Sequence, residues 1–131
     1  MEKIILTPDG QRMKLDGGKN LEDLNPKELL LFATGDCAGR TALQLLPKMR
    51  IEHTGFRIEV SGVISEDNGH ISHMAEDFYL DGVPDEQIKK AVSMLHKTFM
   101  KYCTVGTMMK TFSQVKAKYF VNGKLYEAEE I

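Results

Sequence analysis

The sequence predicts an α+β domain with mainly antiparallel sheets, and two observations lead to that prediction. Three pairs of segments that resemble strands are each joined by a short turn, which is typical of hairpins. Two longer stretches between them carry apolar residues at helical spacing. A length of 131 residues favours a single domain over 1–131. Within it we assign 1–24 to an N-terminal hairpin and loop, 25–121 to the core and 122–131 to a C-terminal strand.

Turn-forming residues place the three predicted hairpins. Each turn contains Gly together with Pro, Asp or Asn, and segments 56–64 and 112–121 alternate between apolar and polar residues. The predicted strand pairs are 4–6 with 11–15 around Thr7-Pro8-Asp9-Gly10, 56–64 with 71–80 around Asp67-Asn68-Gly69, and 112–121 with 125–128 around Asn122-Gly123.

The first helix is predicted to begin at Asn25-Pro26-Lys27-Glu28 and to run towards Leu46. Asn is a strong N-cap, Pro suits the first helical position, and Glu three residues after the cap can bond back to it. Residues 29–33 are apolar on every side, which predicts a helix buried inside the protein with Cys37 near the centre. Because so small a domain has little to cover such a helix, we expect a second copy of the chain to cover it in a homodimer.

The second helix is predicted to open at Pro84-Asp85-Glu86, where acidic residues suit the positive end of the helix dipole. Cys103 follows this helix at a junction with another helical segment, and a position at a helix N-terminus is expected to lower its pKa. The apolar stripe of the helix comprises Ile88, Ala91, Val92, Leu95, Phe99 and Tyr102.

Charge and composition disfavour several classes of function. Lys and Arg number 17 against 19 for Asp and Glu, and the net charge of −2 is unfavourable for binding nucleic acid. No apolar run approaches the roughly 20 residues that span a bilayer, and the first residues do not resemble a secretory signal. We therefore expect a cytoplasmic protein without nucleic-acid or membrane partners.

Short motifs for phosphate binding, dinucleotide binding or zinc proteolysis are not found in the sequence. His70 and His73 fall on opposite faces of a strand, so we predict no metal site. Asp36 and Arg40 are four residues apart on the first helix. Either the two side chains form a surface ion pair, or the positive charge of Arg40 favours the thiolate form of Cys37.

The two cysteines, Cys37 and Cys103, remain as candidates for chemistry. They do not form a CxxC motif, and cytosolic cysteines are usually reduced. Each is either a small buried apolar residue or one half of a redox pair. The residues alone leave both interpretations open.

Three segments resemble the OsmC/Ohr family of osmotically induced and organic-hydroperoxide-resistance proteins. The segment Asn25-Pro26-Lys27-Glu28-Leu29-Leu30-Leu31, followed by Gly35-Asp36-Cys37, resembles its N-P-x-E-L-L…G-C motif. The segment Lys101-Tyr102-Cys103-Thr104-Val105 resembles its K-Y-C-P-V motif, and Gly82-Val83-Pro84-Asp85 also fits. The resemblance extends over residues 25–121.

This resemblance implies a thiol peroxidase that is an intertwined homodimer, with two central helices wrapped by sheets and active sites at the dimer interface. Cys37 corresponds to the nucleophile that attacks an organic hydroperoxide and becomes a sulfenic acid. Cys103 corresponds to the resolving thiol that forms a disulfide with Cys37. No cofactor is implied, because an external dithiol such as a lipoyl group reduces the disulfide.

The chain departs from the family pattern at several positions. The assisting Glu of the hydroperoxide-resistance branch lies ten residues before the first Cys, where this chain has Lys27; Glu28 stands one place nearer, as in a divergent branch. The activating Arg of that branch has no assigned counterpart, although Arg12 lies in the corresponding N-terminal region. The family usually has a small residue at Asp36 and Pro at Thr104. The alternative function is a non-catalytic module on the same dimeric fold that binds a small apolar ligand and has structural thiols.

Overall fold

A computed structural model describes residues 2–67 and 69–127. In these ranges the chain forms one six-stranded sheet with strand order β2-β1-β3-β4-β5-β6. The helices pack on one face of it, as the predicted α+β class requires. The strands are β1 (Glu2–Asp9), β2 (Arg12–Leu15), β3 (Gly55–Ile64), β4 (Ile71–Asp81), β5 (Gln114–Val121) and β6 (Lys124–Tyr126). The helices are α1 (Pro26–Lys48), α2 (Ile88–Lys97) and α3 (Thr104–Met109), with a π-helical turn (Thr98–Tyr102) between α2 and α3.

The three predicted hairpins are confirmed, with small differences at their turns. In the first, pairing continues to Asp9 and Arg12, so the turn is tighter than predicted and Gly10 adopts φ 67°. The second hairpin pairs β3 with β4 along nearly their whole length. Its predicted turn residue Asn68 lies outside the described residues, as does Ala128 at the end of the third hairpin.

The sheet is mainly antiparallel, as predicted, but β4 and β5 run parallel. Two parallel neighbours cannot be joined by a tight turn and need a long crossover, usually helical. Here the crossover consists of α2, the π-helical turn and α3. It carries Cys103 across the buried face of the sheet to a position beside α1.

The start of α1 is set by the predicted cap. The Asn25 side chain accepts a hydrogen bond from Glu28 N at 2.9 Å, and Glu28 Oε1 accepts one from Asn25 N at 3.0 Å. The helix then crosses the sheet at close range. A Cβ added to Gly35 would lie 2.9 Å from side-chain atoms of both Leu6 and Val60, so the absence of a side chain permits this approach.

The prediction that α1 is buried on all sides is wrong for a single copy of the chain. Leu31, Thr34 and Ala38 face the sheet and are fully buried, whereas Leu29 and Leu30 are 40% and 39% exposed. A helix lying on one layer of sheet can bury only the stripe that faces it. Cys37 is half-buried at the border between the two faces.

The predicted apolar stripe of the second helix is correct except at its end. Ala91, Val92, Leu95 and Phe99 are buried, but Tyr102 is 50% exposed. The helix widens to a π-helical turn after Lys97. A π turn contains more residues than an α turn, so a side chain at its end points in a different direction from the one that α spacing predicts. No helix among the described residues is long and apolar enough to cross a membrane.

Candidate functional site

The structure brings the two cysteines, Cys37 and Cys103, together. Both are free thiols, Cys37 half-buried on α1 and Cys103 fully buried at the N-cap of α3. Cys37 is close enough to Cys103 to contribute to the raised pKa of Cys103. Residues 66 positions apart in the sequence therefore form one thiol pair beneath the crossover.

Local backbone geometry fixes the position of Cys103. The amide N of Cys103 donates to Thr98 O at 3.0 Å, which closes the π-helical turn. Its Sγ accepts from Gly106 N at 3.3 Å and donates to Thr34 O at 3.7 Å. A Cβ on Gly106 would lie 3.1 Å from Sγ, so glycine leaves room for the sulfur at this cap.

The pKa of Cys103 is raised, contrary to the expectation from its place at a helix N-terminus. Burial is the largest cause, followed by the charge of Glu76, and the hydrogen bond from Gly106 N only partly opposes them. Desolvation of a fully buried thiol outweighs the effect of a six-residue helix. Cys103 is therefore a neutral thiol at neutral pH.

Glu76 is a member of the site that sequence reasoning missed. It lies on β4, is fully buried, and has no hydrogen-bond partner for either carboxyl oxygen among the described residues. Burial raises its pKa to about 8, and only the charge of Lys110 opposes this. The alternation of β4 could have revealed it, because Glu76 occupies an inward-facing position two residues after Met74 and two residues before Phe78.

Lys110 places a cation beside this cluster. Its Nζ donates to Phe99 O at 2.7 Å and lies 3.9 Å from the centre of the Phe99 ring. Burial lowers the pKa of Lys110, while Glu76 and Cys103 raise it in part. The cluster thus combines one thiol, one carboxyl group and one ammonium group.

The ion-pair interpretation of Asp36 and Arg40 is confirmed. Asp36 Oδ2 pairs with Arg40 Nε at 2.9 Å, and Asp36 Oδ1 accepts from Met13 N at 2.9 Å. Asp36 therefore attaches β2 to α1 as well as holding Arg40. Arg12 lies on β2 with its Nε 4.0 Å from Asp9 Oδ2, on the surface.

Glu28 lies at the beginning of α1, where its carboxylate completes the capping box. Nine residues separate it from Cys37, which corresponds to about 13 Å along a helix. Within one chain the two side chains are therefore too far apart to touch. Lys27 stands beside it and lines a hollow of about 450 Å³ with Leu30, His70, Ile71 and Phe112.

The histidines form no metal site in the part of the chain that the structure describes, which has no cluster of three or more potential ligands. His73 Nδ1 lies 3.0 Å from Ser72 Oγ on the exposed part of β4. His96 Nδ1 lies 2.8 Å from the hydroxyl of Tyr119, which joins α2 to β5. Burial and Glu76 raise the pKa of that hydroxyl, so Tyr119 stays protonated.

Fold and site together define a small α+β protein with an internal pair of cysteines under a helical crossover. The sequence model of the OsmC-like protein family matches residues 17–118. The chain therefore belongs to the OsmC-like protein family, and the resemblance of its two cysteine motifs is confirmed at that level.

Solved structures agree with this assignment. A hypothetical protein from Aquifex aeolicus VF5 is 25% identical, with 92% of this chain and 96% of that one covered and a TM-score of 0.65. An organic hydroperoxide resistance protein from Elizabethkingia anophelis is 15% identical, with coverage of 95% and 97% and a TM-score of 0.60. The organic hydroperoxide resistance protein OhrB of Bacillus subtilis is 14% identical, with coverage of 91% and 98% and a TM-score of 0.51. No curated protein sequence matches the chain.

Proposed function

We propose that this protein is a cysteine-based peroxidase that reduces organic hydroperoxides through Cys37 and Cys103. The observation that carries the proposal is the meeting of a half-buried thiol with a fully buried one. A peroxidatic cysteine must be reached by substrate, whereas a resolving cysteine needs to reach only the first sulfur. Membership of a family that contains hydroperoxide-resistance proteins supports the same reaction.

In the first step the Cys37 thiolate attacks the distal oxygen of the hydroperoxide. The O–O bond breaks, Cys37 becomes a sulfenic acid, and the departing alkoxide takes up the proton that the Cys37 thiol lost on ionising and leaves as the alcohol. In the second step Cys103 Sγ attacks Cys37 Sγ, the S–O bond breaks and water leaves. The Cys37 sulfur is reduced as the Cys103 sulfur is oxidised, and a cytoplasmic dithiol such as a lipoyl group then restores both thiols.

The exposed apolar side of α1 supports a homodimer as the active form. Leu29 and Leu30 lie on this side, and Cys37 stands at its border, so a second copy covering α1 would also enclose the thiol. Glu28 is too far from Cys37 of its own chain to assist it. Its proposed catalytic role therefore requires the Glu28 carboxylate of the second copy, brought close by the pairing of the α1 helices.

The hollow beside Leu30 supports an apolar substrate. Leu30 and Cys37 are seven residues apart, which places them on the same side of α1 about 10 Å from each other along its axis. Leu30, Ile71 and Phe112 supply apolar walls. A hydroperoxide whose alkyl chain occupies this hollow would have its peroxide group near Cys37.

Intact-mass analysis after one equivalent of an organic hydroperoxide tests the proposal. The reduced protein should lose two hydrogens within seconds. Cys103→Ser should instead gain one oxygen at Cys37, and Cys37→Ser should stay unmodified. Tert-butyl or cumene hydroperoxide should react faster than hydrogen peroxide.

An unmodified wild-type protein under the same treatment would overturn the peroxidase proposal. The apolar hollow would then support the alternative function, in which the fold binds a small apolar ligand without chemistry. Binding of a fluorescent fatty-acid probe by the Cys37→Ser variant measures that alternative directly.

A further inference from the structure

A chain of packing contacts places Glu76 on the buried face of the sheet that α1 and the crossover cover. Cys103 Sγ contacts Thr34 O on α1, and the next residue, Gly35, packs against Val60 on β3. Val60 is paired in the sheet with Glu76 on β4. The carboxyl group therefore enters the narrow space between α1, the crossover and the sheet.

The buried thiol of Cys103 has no direct path to solvent for its proton, because its exposure is zero. An attack by Cys103 on another sulfur nevertheless requires that proton to leave, since the thiolate is the nucleophile. A base inside the protein would assist the attack by accepting this proton as the thiolate forms.

Among the side chains and backbone groups of residues 2–67 and 69–127 that act on Cys103, one proton acceptor remains. From α1 it faces the carbonyl oxygen of Thr34, which cannot hold a proton, and the thiol of Cys37, which is the target of attack. From α3 it faces Gly106 N, which is a donor. Lys110 already holds its proton as an ammonium group, so Glu76 on β4 remains.

The groups around Glu76 suit a carboxylate that accepts a proton. Lys110 faces it from the segment after α3 and favours the ionised carboxylate. Tyr119 faces it from β5 with a hydroxyl that stays protonated, and that hydroxyl is bonded to His96. Both oxygens of Glu76 are without hydrogen-bond partners among the described residues, so no other donor occupies them.

We infer that Glu76 is the internal base that accepts the proton of Cys103 when Cys103 attacks the sulfur of Cys37, with Lys110 as its counter-charge. The inference deepens the proposed peroxidase function and rests on it for the identity of the oxidised Cys37. As the S–S bond forms and the S–O bond of the sulfenic acid breaks, Glu76 takes the thiol proton. It then gives a proton to the departing hydroxide, so that water leaves and the carboxylate is restored.

A peroxide-independent form of the same attack tests the inference. One equivalent of dithiobisnitrobenzoate reacts with the accessible Cys37, releases one thionitrobenzoate and leaves a mixed disulfide. Cys103 then attacks the Cys37 sulfur, and its proton passes to Glu76. The second thionitrobenzoate leaves as a coloured thiolate, whose rate of appearance is followed from pH 6 to pH 9.

In the wild-type protein the rate of the second release should rise with a midpoint near pH 8, the pKa of Glu76. Glu76→Gln should slow it roughly a hundredfold at pH 8.5, the usual worth of a general base, and remove that midpoint. The first release should be unchanged. Glu76→Asp keeps a carboxyl group. It should therefore restore part of the rate of the second release and again show a midpoint in its pH dependence.

Asp77→Asn is the matched control, because Asp77 is the next residue on β4 and points to the opposite face of the sheet. It should keep the wild-type rate and pH profile. A wild-type second release in Glu76→Gln, or no second release in the wild type, would overturn the inference.

A parallel experiment with cumene hydroperoxide separates this inference from the proposed function. If the hydroperoxide leaves Cys37 unoxidised while the second release still depends on Glu76, the peroxidase proposal is wrong and the role of Glu76 holds. If the hydroperoxide forms the disulfide at equal rates in wild type and Glu76→Gln, the peroxidase proposal holds and the role of Glu76 is wrong.

Discussion

Cys103 Sγ lies 3.7 Å from the carbonyl oxygen of Thr34, three residues before Cys37 on α1. The second cysteine is thus attached to the helix that carries the first. This contact joins the helix that carries Cys37 to the crossover that carries Cys103, whose position is also held by its bonds to Thr98 O and Gly106 N.

Glu76→Gln should make the protein more stable at pH 8 than the wild type. Glu76 has a folded pKa of about 8 against an ordinary 4.5, so the unfolded chain loses this proton first as the pH rises. The contribution of Glu76 to wild-type stability is therefore fully present below pH 4.5 and is lost as the pH rises to about 8. The free energy of unfolding in urea should differ little between the two proteins at pH 4.5 and by several kcal/mol at pH 8. An equal difference in the free energy of unfolding at both pH values would contradict the raised pKa of Glu76.

Lys110→Met should move the pH midpoint of the second thionitrobenzoate release upwards. The ammonium group lowers the pKa of Glu76, so its loss makes the carboxylate form only at higher pH. Lys110→Arg keeps the charge and is the control. A midpoint that stays in place in Lys110→Met would show that the cation does not act on Glu76.

Glu28→Gln should separate capping from catalysis. Gln also forms a capping box, so the free energy of unfolding should remain near the wild-type value. Glu28→Ala should lose about 1 kcal/mol with its capping bond. If Glu28 assists Cys37 of the second copy, sulfenic acid formation should slow in both variants. A Glu28→Gln variant that reacts with hydroperoxide at the wild-type rate would restrict Glu28 to capping.

Gly35→Ala should destabilise the packing of α1 on the sheet. The added methyl group would meet Leu6 and Val60, both fully buried, at 2.9 Å. Overpacking of this kind costs about 1–3 kcal/mol, and the better helix propensity of Ala returns up to about 1 kcal/mol. Thermal unfolding should therefore begin at a lower temperature. Unchanged stability would mean that α1 can move away from the sheet at little cost.

Much of the fold could be predicted from local patterns. The capping box at Asn25 and Glu28 placed the start of α1, and alternation placed β3 and β4. The parallel pairing of β4 with β5 escaped prediction, because alternation shows which face is buried but not which strand is the neighbour. The sequence indicated that one chain has little to cover α1, but apolar composition could not show which side of the helix stays exposed.

The candidate site was also predictable only in part from the sequence. Resemblance singled out Cys37 and Cys103, and the structure places them together. The raised pKa of Cys103 could not be inferred from its position at a helix N-terminus, because burial depends on the tertiary contacts of the crossover. Glu76 could have been found from the alternation of β4, whereas Lys110 follows a short helix with no sequence signal.

The parallel pairing of β4 with β5 also determines when the thiol pair forms during folding. Paired residues in these strands are about 40 positions apart, so their contacts carry a large loop-closure entropy. Hairpins such as β3–β4 close shorter loops and therefore form more readily. The pocket of Cys103 is complete only after the crossover has docked. A nascent chain therefore exposes both thiols to solvent until this late step, and only the fully folded domain protects Cys103.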